Sequence, residues 1–216
     1  MFITFEGIEG CGKTTQMKLL REFFAEVDVP CLLTREPGGT AVGEEIRKIF
    51  LHSDNTELLA STELLLVTAA RVQHINMVIR PALAQGKVVV CDRFFDATAA
   101  YQGSAGGVEP AMIEKAHAIF CDSFLPDLTI LFDCPVEIGL GRSRSRNRDE
   151  GIEKMEGRFE DKDICFHEKV RAGYLERADR EPGRFVLVDT RQSVEAVHQQ
   201  VVQVVREGLG KVGYVV

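Results

Sequence analysis

The sequence lacks several features that would assign a class at once. No apolar run approaches the ~18 residues of a membrane span. The opening MFITFEGIEG has neither the basic start nor the longer apolar stretch of a secretion signal. None of the six cysteines (Cys11, Cys31, Cys91, Cys121, Cys134, Cys165) forms a C-x-x-C pair, and the five histidines are too scattered for a zinc pattern. Positive charge is in deficit: 26 Lys and Arg against 33 Asp and Glu leave a net charge of −7. That balance argues against sequence-independent coating of nucleic acid, which needs net positive charge. It leaves small anionic ligands open, because they respond to local charge. Internal repeats, low-complexity stretches and linkers are also missing. The expectation is a cytoplasmic protein off the membrane, with reduced cysteines acting as small hydrophobes. Its 216 residues fit one domain.

Five short apolar runs recur: Phe2–Phe5, Cys31–Thr34, Val88–Cys91, Leu128–Phe132 and Phe185–Val188. Apolarity without alternation suits strands buried on both faces of a parallel sheet. Segments of helical spacing lie between them. Thr15–Val27 carries Met17, Leu20, Phe23, Phe24 and Val27 on one stripe, and Val194–Gly208 repeats Val at 194, 197, 201, 204 and 205. Glu63–Leu83 and Met112–Phe124 read similarly, with Pro81 marking a break or a helix start. Alternating strand and helix over the whole length predict an α/β fold with a mainly parallel sheet and helices on both faces. Ligands of such sheets collect at the carboxyl ends of the strands, so the residues just after each run matter most.

After the first run comes Gly7-Ile8-Glu9-Gly10-Cys11-Gly12-Lys13-Thr14, which fits the phosphate-loop pattern G-x-x-x-x-G-K-[ST]. The glycines let backbone N–H groups converge on phosphate oxygens. Lys13 adds a point charge, Thr14 offers a hydroxyl to Mg²⁺, and the following helix points its positive end at the same anion. Such loops serve GTPase switches, ATPase motors and small-molecule kinases alike. The second run ends in Thr34-Arg35-Glu36-Pro37-Gly38-Gly39-Thr40, a turn by composition at a strand tip. The third ends in Asp92-Arg93, and a carboxylate in that position organises Mg²⁺ in P-loop proteins. Thr98, Tyr101 and Gln102 follow, residue types that read sugars and base edges and are equally ordinary in helices.

Arg142-Ser143-Arg144-Ser145-Arg146-Asn147-Arg148 sets four arginines in seven positions of an acidic protein. On a helix they divide into the i, i+4 pairs Arg142/Arg146 and Arg144/Arg148. One pair is free to meet a phosphate while the other meets solvent or nearby Asp149, Glu150, Glu153 and Glu156. The run reads as a basic lid, at about 141–163, or as a solvated helix. The tail Gly210–Val216 carries no motif.

The set Glu6-Gly7-x-Glu9-Gly10-x-Gly12-Lys13-Thr14-Thr15, Thr34–Thr40, Ala69-Ala70-Arg71, Asp92-Arg93 and Ala100-Tyr101-Gln102-Gly103 resembles the bacterial thymidylate kinases in order and spacing along nearly the whole chain. Arg158-Phe159-Glu160, Phe166-His167 and Tyr174-Leu175 also fit. The resemblance implies a P-loop kinase fold with five parallel strands and a helical lid, and a cytoplasmic homodimer. It implies the reaction ATP + dTMP → ADP + dTDP with Mg²⁺, serving dTTP synthesis. By the same resemblance, Gly7, Ile8, Glu9, Gly10, Cys11, Gly12, Lys13, Thr14 and Thr15 form the ATP loop. Thr14, Asp92 and Glu36 face the metal, the last through water. Glu9 and Tyr101 lie near the dTMP sugar, Arg47 and Arg93 grip its phosphate, and Arg71, Thr98 and Gln102 face thymine. The resemblance implies a transition-state arginine either in the phosphate loop or in the lid; Ile8, Glu9, Gly10 and Cys11 include no basic residue, which points to the lid layout, with Arg142–Arg148 supplying it and Arg142 and Arg146 as the candidate catalytic residues.

One position departs from the pattern. Val67 stands where the family stacks a phenylalanine on thymine, forfeiting an aromatic geometry worth about 0.5–1.5 kcal/mol. Another pyrimidine monophosphate kinase, or a non-kinase nucleotide switch, are the alternatives to weigh.

The chemistry explains why such residues are needed. A phosphate monoester ionises for the second time near pH ~6, so its attacking oxygen needs no general base at neutral pH. The obstacle is charge: at about 4 Å, each unit pair repels by about 4 kcal/mol at an effective dielectric of ~20. Cations answer that repulsion and hold the line of attack.

Overall fold

The computed structural model describes residues 1–151, 155, 157–211, 213 and 214. Each apolar run becomes a strand that starts where the run starts and extends one residue further: β1 Phe2–Glu6, β2 Cys31–Arg35, β3 Val88–Asp92, β4 Leu128–Asp133 and β5 Phe185–Asp189. That added residue is charged every time. Five charged side chains therefore mark the carboxyl edge of the sheet, where ligands of α/β folds bind.

All four strand pairings are parallel, in the order β2-β3-β1-β4-β5. Alternation along the strands sends side chains to two cores. Ile3, Phe5, Val88 and Val90 face one layer of helices, while Phe2, Val89 and Cys91 face the other. The second core is cemented by Phe2, which meets Phe94 edge-on at 5.0 Å and stacks on Phe124 at 5.5 Å. Burying rings such as Phe2 and Phe94 stabilises the fold by roughly 1.5–3 kcal/mol each.

The helices are α1 Lys13–Glu26, α2 Ala41–Leu51, α3 Ala60–His74, α4 Arg80–Ala84, α5 Phe95–Thr98, α6 Pro110–Cys121, α7 Val136–Glu150, α8 Ile164–Arg180 and α9 Val194–Lys211. The segment read as one helix over Glu63–Leu83 does run on, but through a π-helical turn, Ile75–Ile79. Pro81 sits in the first turn of α4 beyond it. A wider turn ahead of the proline suits a residue that has no N–H to donate. A second π segment, Ala99–Ala105, continues α5. The tail is packed at Tyr214, which lies against the first core and donates its hydroxyl to the Gly86 carbonyl. Val212, Val215 and Val216 lie outside the described residues.

Candidate active site

The loop after β1 is built on close backbone approach. Gly12 caps α1 in the left-handed region at φ +100°, and a Cβ there would meet nothing within 4 Å. The space above it is an open cradle at a helix N-terminus, which is what an anion requires. Gly10 is crowded instead: a Cβ on it would fall 1.9 Å from the carbonyl oxygen of Gly139 in α7. The arginine-bearing helix is thereby pressed onto the phosphate loop. Lys13 is buried, and its Nζ donates to Gly7 O at 3.1 Å and Ile8 O at 2.9 Å.

Arg93 follows β3 with φ +68°, a left-handed conformation that non-glycine residues adopt at a cost. Its Nη1 donates to Gly7 O at 2.8 Å and to the Tyr174 hydroxyl at 3.0 Å, and its Nη2 to Glu9 Oε1 at 3.2 Å. The guanidinium lies over the Tyr101 ring at 4.8 Å. Tyr101 donates its hydroxyl to the same Glu9 oxygen. Burial pushes the Glu9 carboxyl up, but the neighbouring His167 imidazole, the Arg93 guanidinium and the Tyr101 hydroxyl outweigh it and bring it down to about 2. Glu9 is therefore ionised at neutral pH and holds both partners.

A second cluster surrounds Glu36. Arg71 Nε donates to Glu36 Oε2 at 2.8 Å, and His74 Nδ1 lies 2.9 Å from Oε1. Arg71 Nη2 also donates to Thr98 Oγ1 at 2.8 Å, and the guanidinium rests over Phe94 at 5.0 Å. Gln102 donates from Nε2 to Glu63 Oε2 at 2.7 Å, and Glu63 also pairs with buried Arg158. Arg47 donates to Pro37 O at 3.2 Å.

These groups face one cleft of about 700 Å³ at the carboxyl edge of the sheet. It brings together Glu9, Gly10, Lys13, Thr14, Glu36, Arg47, Val67, Arg71, Asp92, Arg93, Thr98, Tyr101, Gln102 and Arg146. Eight basic and five acidic side chains line it, an excess of three positive charges in a chain of net −7. The local field thus favours anions although the whole protein repels them. Of the remaining loop residues, Gly7 binds Arg93 from its carbonyl, Ile8 and Cys11 bury their side chains in the core, and Thr15 is exposed on α1.

The Arg142/Arg146 pair divides. Arg146 lines the cleft, with Nη2 bonded to Asn147 Oδ1 at 2.9 Å and Ser143 Oγ at 3.2 Å. Arg142 turns away from it and reaches the Thr190 carbonyl at 3.4 Å. Arg144 is held by the Glu160 carbonyl at 2.8 Å. Glu153 and Glu156 lie outside the described residues.

A sequence profile described as Thymidylate kinase matches residues 5–201. The chain is 51% identical over 189 residues to a thymidylate kinase of Trichlorobacter lovleyi, covering 88% of this chain and 89% of that one. The chain belongs to the thymidylate kinase family. A thymidylate kinase of Geotalea uraniireducens is 50% identical over 195 residues, covering 90% and 91% of the two chains. The crystal structure of a thymidylate kinase from Ehrlichia chaffeensis superposes with a TM-score of 0.74 at 34% identity, over 95% of this chain and 98% of that one. The family fold, a five-stranded parallel P-loop kinase core, is the one observed here.

For a member of the thymidylate kinase family, the donor set also bears on Mg²⁺. Among the described residues no three His, Cys, Asp or Glu side chains gather as a metal cage. Mg²⁺ keeps several waters and binds through one or two protein oxygens plus substrate phosphates, so the Thr14 hydroxyl and the Asp92 carboxylate at the cleft fit it. Both Glu36 oxygens are already engaged by Arg71 and His74, which suits contact through water. Four residues around the site carry at most a match to the family pattern in the sequence: Glu63, Arg158, His167 and Tyr174. Each pairs with a partner more than 80 residues away or sits beneath one, a relationship without a local signal.

Proposed function

We infer that this chain transfers the terminal phosphoryl group of ATP to dTMP, giving ADP and dTDP. The observation that carries the reading is the docking of Arg93 on the phosphate loop: its guanidinium donates to Gly7 O while Lys13 Nζ donates to the same carbonyl. A donor-side cation and an acceptor-side cation thus share one anchor in one cleft. Two phosphates seated on them would be drawn into line against their mutual repulsion.

In this reading Lys13 and the loop backbone hold the ATP phosphates, and Arg47 and Arg93 hold the dTMP phosphate. Glu9 and Tyr101 face the sugar. Arg71, Thr98 and Gln102 face thymine, with Val67 against the ring. Thr14 and Asp92 would hold Mg²⁺, and Glu36 would reach it through water. When bound, the ion neutralises charge between donor and acceptor phosphates. Arg146 supplies the positive charge that follows the phosphoryl group across. No side chain needs to take a proton, since the monoester arrives largely deprotonated. Helix α7, which brings Arg146 to the cleft, serves as the described part of a lid that excludes water, the competing acceptor.

A cytoplasmic homodimer completes the proposal. Helices α3 and α6 pack beside each other, and Leu65, Met112, Ile119 and Phe120 on them remain more than half exposed, an apolar surface suited to a second copy. The thiols of Cys11, Cys91, Cys121 and Cys134 are buried as small apolar groups, which supports a reducing compartment. Coupled ADP release with a panel of monophosphates tests the activity. ADP formation dependent on dTMP and weaker with dUMP, UMP and CMP is expected. Equal turnover with no acceptor present would refute it.

A further inference from the structure

His167 lies in the first turn of α8, just after the proposed lid, and is fully buried. It does not line the cleft, but it stands directly behind a residue that does. Its Nδ1 is 3.3 Å from Glu9 Oε2, inside ion-pair range. Among the described residues neither ring nitrogen of His167 nor Glu9 Oε2 has a hydrogen-bond partner. A buried polar atom left unpaired is destabilising, so groups this close are expected to answer one another.

The two Glu9 oxygens therefore have separate tasks. Oε1 faces forward and accepts from Tyr101 and Arg93, both at the cleft. Oε2 faces back toward the imidazole. Arg93 in turn is tied to the Gly7 carbonyl and the Tyr174 hydroxyl, so the direction of one carboxylate sets the position of the acceptor-side cation.

We propose that His167 is a positioning residue for Glu9: its Nδ1–H orients the carboxylate from behind the cleft, and Glu9 then holds Tyr101 and Arg93 in place for the acceptor nucleotide. The inference rests on dTMP as the acceptor. It makes a geometric demand: the donor must sit at the Nδ1 position. Asparagine places its amide nitrogen near that of Nδ1, whereas glutamine places it near Nε2.

The experiment is calorimetry of dTMP binding, without ATP or metal, to the wild-type protein and to His167→Asn and His167→Gln, each also in a Glu9→Gln background. His167→Asn is expected to bind within about threefold of wild type. His167→Gln is expected to bind about tenfold or more weakly, about 1.4 kcal/mol. In the Glu9→Gln background the two should agree within about twofold, since coupling through Glu9 is then gone. Equal affinity of the Asn and Gln variants, or a difference that survives undiminished in the Glu9→Gln background, would overturn the assignment. So would an Asn variant that fails to fold, because the role would then lie in the core. Wild-type protein that binds no dTMP would overturn the functional reading as well, whereas normal wild-type binding with an unaffected Gln variant overturns this inference alone.

Discussion

Arg93 and Gly7 are joined by a 2.8 Å hydrogen bond from guanidinium to backbone carbonyl, which fixes the residue after β3 to the loop after β1. The bond joins residues 86 apart in sequence, both beside the cleft. Truncating Arg93 removes both a charge and this tie. Arg93→Ala is expected to lower kcat/KM for dTMP by about 100-fold or more, in line with losing one preorganised donor from a transition state. Steady-state kinetics on protein with an unchanged circular dichroism spectrum checks it, and a loss under about tenfold would remove Arg93 from the site.

The backbone at Arg93 gives an independent check. With φ at +68°, glycine fits where alanine is strained. Arg93→Gly should be more stable than Arg93→Ala by about 1–2 kcal/mol, although both have lost the guanidinium. Urea denaturation of the two variants measures the difference, and equal midpoints would mean the residue relaxes out of this conformation.

The lid arginines should separate in function as they do in space. Arg146 lines the cleft, whereas Arg142 turns to the Thr190 carbonyl. Arg146→Ala should lower kcat by about 100-fold, and Arg142→Ala by about tenfold at most. Reversed sensitivities would assign the transferred group to Arg142.

Glu6 lies beneath Arg93, fully buried, accepting from Phe94 N at 2.7 Å and the Tyr174 hydroxyl at 2.8 Å. Burial and the nearby Asp96 charge push its carboxyl up to about 7, against the opposing pull of Arg93 and its two hydrogen bonds. A carboxyl raised in the fold binds a proton there that it has lost in the unfolded chain. Its contribution is therefore fully present below the ordinary carboxylate range and is lost as pH rises through about 7. Stability should fall between pH ~5 and ~8 by an amount on the order of 1–3 kcal/mol, and Glu6→Gln should flatten that slope. Chemical denaturation across this range tests it; an unchanged slope in the variant would place the linkage elsewhere. Glu9 acts oppositely, its stabilisation disappearing as pH falls from the ordinary carboxylate range toward about 2.

The Val67 wall is buried and open to the cleft. Val67→Phe should restore ring stacking worth about 0.5–1.5 kcal/mol and tighten dTMP binding by about two- to tenfold. An unchanged or weaker Kd by calorimetry would mean the ring is held another way.

The fold was largely legible because parallel strands buried on both faces leave uninterrupted apolar runs, and each run here lacks only its charged final residue. The phosphate loop was legible because its spacing is local. Helix α8 gives little periodic signal in the sequence: its buried face is His167, Val170, Gly173 and Tyr174, too polar and too sparse to stand out as a stripe. Helix α2 buries only Gly43 and Phe50, so its period was equally faint. The pairings Glu36–His74, Glu63–Arg158 and Asp96–Arg184 join distant segments and exist only once the chain has folded. Division of Arg142 from Arg146 likewise depends on the loop after β5, which helical spacing cannot reveal.

Two mutually repelling nucleotides are expected to be drawn together on a cationic cleft whose two sides meet at Gly7. A crystal structure with a non-hydrolysable ATP analogue and dTMP measures this directly. The ATP phosphates are expected on Lys13 and the loop backbone, the dTMP phosphate on Arg93 and Arg47, and thymine against Val67 and Arg71. A dTMP molecule bound away from Arg93, or its absence at saturating concentration with the ATP analogue in place, would contradict it.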